Sequence, residues 1–139
     1  VKTLNYFLFY TYVGLVIVAG FWGAFINPYF DLRLLFDLEP NTLTEYTKVN
    51  ILSQYRFLRA IELGFGLFSV IFFRQIFYER QFNTLFLTIM SLGVLARVFS
   101  IIVDGMPSSL FLFFLIYEMV GVVVIYMYSK TTIHQHVVQ

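Results

Sequence analysis

Four apolar runs set the terms on which this chain can fold: Leu4 to Ile26, Phe57 to Phe73, Asn83 to Val103 and Leu110 to Tyr128. Each is close to the ~20 residues, or ~30 Å of helix, that cross the hydrocarbon of a bilayer. The second is the shortest and holds two charges, but it extends through Tyr55 at one end and Ile76 at the other. The expected architecture is an all-α integral membrane four-helix bundle, with spans at about 4–26, 55–76, 83–103 and 109–128. Composition agrees, because 60% of the 139 residues are hydrophobic and 12% charged, too apolar for one small globule to hide. A signal peptide is the rival reading of the first run, since Lys2 precedes it. The run is too long and lacks a small-x-small cleavage site, so it is read as a span.

The only substantial polar stretch is Asn27 to Arg56. Asn27-Pro28 stops the first helix, and Asp31 to Leu38 follows as a short amphipathic piece suited to the membrane surface, with Arg33 and Asp37 spaced to pair at i, i+4. Glu39-Pro40-Asn41 breaks the chain, and Thr42-Leu43-Thr44-Glu45 has the spacing of a capping box from which a helix can run into the second span. The turn Asp104-Gly105-Met106-Pro107-Ser108-Ser109 is so short that spans three and four must be antiparallel neighbours. No repeat, linker or low-complexity segment divides the chain, so one domain is expected. Tyr6, Tyr10, Trp22, Tyr29, Tyr78, Tyr126 and Tyr128 fall near span ends, where an interfacial aromatic belt belongs.

Several classes of chemistry are excluded. There is no Cys, hence no disulfide, thiolate zinc site or iron–sulfur cluster. A net charge of +1 with scattered Lys and Arg offers nucleic acid no basic field. No phosphate loop, dinucleotide fingerprint, His-Glu-x-x-His or Gly-x-Ser-x-Gly is present, and no cofactor or metal is expected. His134 and His136 supply too few ligands and are read as part of a frayed tail.

The informative residues are the ionisable groups inside the spans: Arg59 and Glu62 in the second, Arg97 in the third and Glu118 in the fourth. An unpaired charge at mid-span costs ~2.5 to 3.5 kcal/mol, so these groups should face one another or a wet cavity. Helical rise puts Arg59 and Glu62 roughly 5 to 9 Å below the interface, Arg97 about 9 Å and Glu118 about 12 Å, all in the same half of the bilayer. Arg59, Glu62, Gly66 and Ser69 form one stripe, and Gly93, Arg97, Ser100 and Asp104 another; both are expected to point into the bundle. Gly64, Gly66, Gly93 and Gly121 are the small residues expected to let backbones approach. The plainer alternative is that paired charges and glycines only hold the helices in register, and that Ser100 bonds back to its own helix.

Arg59-Ala60 with Gly64 and Gly66, Arg97-x-x-Ser100-x-x-x-Asp104-Gly105-x-Pro107-Ser108, and Glu118-x-x-Gly121 together resemble a bacterial family of small four-helix membrane proteins known only as a domain of unknown function. The resemblance covers nearly the whole chain. It implies a four-span fold and singles out Arg59, Arg97, Ser100, Asp104, Gly105 and Glu118, but it implies no activity. In a bacterial inner membrane, the slight excess of Lys2, Arg74, Arg80 and Lys130 over Arg33, Lys48 and Arg56 favours both termini in the cytoplasm.

The candidate site is thus Arg59, Glu62, Arg97, Ser100, Asp104 and Glu118, a polar pocket in one half of the bilayer. The favoured expectation is non-enzymatic: binding of a membrane lipid or amphipathic ligand, or service as an accessory subunit of a larger membrane-protein complex. Guanidinium forks suit phosphate or carboxylate. The alternative is an intramembrane isomerase or hydrolase of a lipophilic substrate, with Glu118 or Glu62 as general acid or base. Ion or proton transport ranks third, because it would require an oligomer.

Overall fold

The computed structural model describes residues 2–137, and side chains for 3–133. Six α-helices account for nearly all of it, with no strand among the described residues: α1 (Lys2–Phe21), α2 (Pro28–Phe36), α3 (Glu45–Ile71), α4 (Phe73–Tyr78), α5 (Arg80–Asp104) and α6 (Ser109–Val137). A π turn, Trp22–Ile26, ends α1, and a 3₁₀ turn, Pro40–Thr42, separates α2 from α3. Among the described residues three stretches are long and apolar enough to cross a membrane: Thr3–Ile26, Arg80–Asp104 and Ser109–Ile133, with mean hydropathies of 1.8, 2.2 and 2.4. Helix α3 has the length but carries Glu45, Lys48, Arg56, Arg59 and Glu62, and it is not among the three. The backbone of α6 continues through His134 and His136, whose side chains lie outside the described residues.

The loop after α1 follows from its sequence. Pro28 has no N–H for the carbonyl of Ala24 four residues earlier, and Arg56 Nη1 supplies the missing donor at 2.5 Å. Asn27 caps α2 through Oδ1, which accepts from the Phe30 amide at 3.1 Å, with Pro28 in the first helical position. Helix α2 ends in a left-handed cap: Asp37 (φ 51°) donates its amide to the Arg33 carbonyl, and the Leu38 amide donates to the carbonyl of Leu32. Arg33 therefore pairs with Glu39, at 2.7 Å, and not with Asp37 as spacing suggested. Beside the Arg33 guanidinium the Glu39 carboxyl is held below its ordinary range. The Thr42–Glu45 box does not form either. Thr42 donates to the Glu39 carbonyl, while Thr44 accepts from the Thr47 amide and is the cap of α3. As expected, α3 then runs from this cap into the second apolar run; it stops at Ile71, and Phe72 (φ −97°, ψ 23°) separates it from α4.

The chain divides into two compact units, Val1–Tyr12 with Ser69–Gln139, and Val13–Phe68, to both of which α1 and α3 contribute. In the first, Phe9 is fully buried against Phe73, Phe77 and Phe86, with ring centroids 5.2 to 5.5 Å apart, and α4 packs on α5 and α6. Tyr6 and Tyr128 join hydroxyls at 3.3 Å and Thr11 bonds Tyr117, so these tyrosines tie α1 to α6, whereas Tyr10, Tyr78 and Tyr126 are exposed. In the second unit, α1 and α3 approach so closely at Gly20 that a Cβ there would lie 2.7 Å from the Leu63 amide nitrogen.

Outside these cores the surface is apolar: Val18, Ile71, Phe99, Ile102 and Val103, among many, are more than 60% exposed, which suits acyl chains and not water. One buried group breaks the pattern. Asn5 is fully buried, and neither its Oδ1 nor its Nδ2 has a hydrogen-bond partner among the described residues. Since an unsatisfied buried amide costs about 1 to 3 kcal/mol, the near-isosteric Asn5→Leu variant is expected to melt at a higher temperature in detergent. A comparable loss of stability would show that the amide has a partner.

Candidate functional site

Arg59, Glu62, Arg97 and Glu118 are each paired inside their own unit. In the Val1–Tyr12 with Ser69–Gln139 unit, Arg97 on α5 faces Glu118 on α6 and donates from Nε to Oε2 at 2.9 Å and from Nη2 to Oε1 at 3.3 Å. The four-residue connection makes this register possible. Gly105, at φ 103°, adopts a backbone conformation that side chains resist, and the helices return antiparallel from it. Arg97 lies seven residues before the end of α5 and Glu118 nine after the start of α6, so each sits roughly 10 to 14 Å from its helix end. The pair is two-sided in character: the Arg97 side chain is 36% exposed and that of Glu118 only 15%.

Beside the pair is a cavity of about 210 Å³ lined by Arg97, Ser100, Ile101, Pro107, Phe111 and Leu115. The Arg97 guanidinium carbon stands 5.9 Å from the Phe111 ring centre, within cation–π range. Ser100 does not bond back to its own carbonyls; its hydroxyl donates to the Asp104 carboxylate at 2.9 Å. Gly93, Ser100 and Asp104 are exposed, which corrects the expectation of an inward stripe. Apolar Phe86, Met90 and Val94 occupy the packed face of α5, and only Arg97 of the stripe turns partly inward.

In the Val13–Phe68 unit, Arg59 donates from Nε to the Tyr55 hydroxyl at 2.7 Å and from Nη1 to Glu62 at 2.5 Å. Tyr55 in turn donates to Asp31 at 2.9 Å, and Asp31 also stands 3.7 Å from Arg59 Nε. Asp31, Tyr55 and Arg59 are largely shielded, while Glu62 is exposed at the edge of the group. Of the glycines expected to admit close backbones, Gly66 lies against Ile17, Gly121 only touches Met90, and Gly64 and Gly93 face open space. The Gly66 approach is as expected, with a Cβ there 2.5 Å from Ile17 Cγ1 and 3.3 Å from its amide nitrogen; further close approaches are at Gly20 and at Gly23, where a Cβ would meet Asp31 Oδ2 at 2.6 Å and Arg59 Cγ at 2.7 Å.

Sequence reading missed Asp31, Tyr55, Gly20 and Gly23. The Tyr55/Arg59 spacing of four was an available signal, and so was the Gly20-x-x-Gly23 pair; nothing local marked Asp31 as buried. Among the described residues no group of three His, Cys, Asp or Glu could hold a metal ion.

A family model described as a domain of unknown function, DUF4345, matches residues 4–129. The chain belongs to that family. The match takes in all six residues of the candidate site, from Arg59 to Glu118, together with Asp31 and Tyr55. No curated protein and no solved structure matches the chain.

Proposed function

We propose that this member of the DUF4345 family is a four-span membrane protein that binds an amphipathic membrane ligand at the Arg97 cavity without transforming it. The observation that carries the reading is the composition of that cavity: one half-shielded guanidinium and one hydroxyl at its polar end, with Ile101, Pro107, Phe111 and Leu115 as apolar walls. A polar anchor in an otherwise apolar concave site is the usual form of a small-molecule pocket. In this reading α3 is the fourth span, made tolerable by the pairing of Arg59 with Asp31, Tyr55 and Glu62, and of Arg56 with the Ala24 carbonyl. Both termini face the cytoplasm of a bacterial inner membrane, following the Lys and Arg bias.

The test is chemical analysis of the full chain purified in mild detergent. The expected result is a near-stoichiometric amphipath in the wild type that is lost on Arg97→Gln and on Ile101→Trp, which fills the cavity while sparing the charge. Recovery of the wild type without any bound amphipath would overturn the reading. A second reading, accessory subunit of a larger membrane complex, is favoured by the exposed polar face of α5 at Gly93, Ser100 and Asp104, and stable recovery with partner chains would support it. An intramembrane enzyme using Glu118 or Glu62 would first have to release those carboxylates from Arg97 and Arg59.

A further inference from the structure

The donors and charges around the Arg97 cavity restrict the ligand's headgroup. A guanidinium carries five N–H donors. Glu118 takes one from Nε and one from Nη2, which leaves both hydrogens of Nη1 and the second of Nη2, the end-on fork, without a partner among the described residues. That fork matches two oxygens of a phosphate or carboxylate. The charge count argues against a purely anionic ligand, however. At this end of the unit Arg97 contributes one positive charge, and Glu118 and Asp104 contribute two negative ones, a formal sum of −1. The basic residues Arg80 and Lys130 lie toward the far ends of α5 and α6, roughly 26 Å from Arg97 and roughly 18 Å from Glu118 along the helices.

An anionic headgroup would therefore add charge to a site already negative, whereas a headgroup with an anionic and a cationic end would satisfy both features. Asp104 is exposed, at the membrane-surface end of α5, one helical turn from Ser100, whose hydroxyl fixes its carboxylate. Arg97 is about 10 Å deeper along the same helix. The order, cation-seeking carboxylate outside and anion-seeking guanidinium inside, has the polarity of a phospholipid whose amine lies outermost. The Asp104 carboxylate already accepts a hydrogen bond from Ser100 and suits an N–H donor, which a primary ammonium has and a quaternary one, recognised by aromatic faces, does not.

Resting on the ligand-binding reading above, we propose that the ligand is a zwitterionic phospholipid with a primary amine, its phosphate on the free fork of Arg97 and its ammonium on Asp104. The acyl chains begin along Ile101, Phe111 and Leu115.

The experiment is native mass spectrometry of the full chain released from nanodiscs containing equal amounts of phosphatidylethanolamine, phosphatidylglycerol and phosphatidylcholine with identical acyl chains. The wild type is expected to retain the ethanolamine lipid over the other two by about tenfold, the order expected of one charge-assisted hydrogen bond. Asp104→Asn still accepts from Ser100 and so leaves the fold intact; it should erase that preference and raise the share of the glycerol lipid. Arg97→Gln should retain none of the three. Free phosphoethanolamine at matched concentration should not displace the lipid, and displacement would overturn its assignment as a lipid. Retention of the glycerol lipid as well as the ethanolamine lipid, or an unchanged preference in Asp104→Asn, would overturn the headgroup inference while leaving the cavity a binding site. A wild type that retains no phospholipid at all would instead defeat the underlying reading.

Discussion

Gly20→Ala should cost this protein more stability than any other single-methyl addition to its helices. The new Cβ would lie 2.7 Å from the Leu63 amide nitrogen, 2.9 Å from the Arg59 carbonyl oxygen and 3.0 Å from the Leu63 Cα. All three are backbone atoms of α3, so no rotamer change relieves the clash and α1 and α3 must separate. Overpacking costs about 1 to 3 kcal/mol when side chains can give way; with backbone on both sides the upper end is expected, and Arg59 moves with its helix. Gly14→Ala and Gly64→Ala are the controls. Neither new methyl would have a neighbour within 4 Å, and replacing glycine inside a helix gains roughly 0.5 to 1 kcal/mol. Thermal melting in one detergent should order the variants as Gly20→Ala far below wild type, with both controls at or above it. A Gly20→Ala protein that melts with the controls would mean that α1 and α3 do not approach here.

The second large effect belongs to Asp31. Its carboxylate is shielded and accepts from Tyr55, while Tyr55 accepts from Arg59, so a single hydrogen-bond relay connects α2 to α3. Asp31→Ala leaves the Tyr55 hydroxyl without its acceptor and leaves Arg59, whose side chain is 15% exposed, with only the peripheral Glu62 for charge balance. Removing one partner of a buried pair costs about 3 to 5 kcal/mol. Tyr55→Phe should cost less, about 1 to 2 kcal/mol, since it removes hydrogen bonds but no charge. Because the three groups act together, the double variant should be less destabilised than the sum of the singles by at least ~0.5 kcal/mol, measurable as a double-mutant cycle in denaturant melts. Strict additivity would contradict the relay.

How much of this was legible beforehand depends on how local each cause is. The spans containing α1, α5 and α6 follow from run length alone, and the Arg97–Glu118 register follows from counting outward from a short turn that Gly105 makes possible. Charge pairing of Arg59 with Glu62 is a matter of spacing along one helix. Asp31 is different: it sits in a surface-like amphipathic segment, and only the return of α3 beside the π turn buries it. The break at Phe72 has no glycine or proline to announce it. A periodic stripe such as Gly93, Arg97, Ser100 and Asp104 identifies a shared face, but in a lipid-embedded helix it does not say whether that face meets the chain's own core; here most of it stays outside. The glycines illustrate the same limit, since Gly64 and Gly93 have the residue type for close approach and no neighbour to approach.

The central claim is that lipid enters a defined cavity beside Arg97, which photo-crosslinking can test in a bilayer. The full chain would be placed in nanodiscs with a phosphatidylethanolamine carrying a diazirine near the glycerol, irradiated, and mapped by peptide mass spectrometry. The expected result is labelling concentrated on Ile101, Pro107 and Phe111, reduced at least about tenfold in Arg97→Gln, with exposed Val123 on the outer surface of α6 labelled weakly and equally in both. Labelling spread evenly over the exposed apolar residues and indifferent to Arg97 would contradict it.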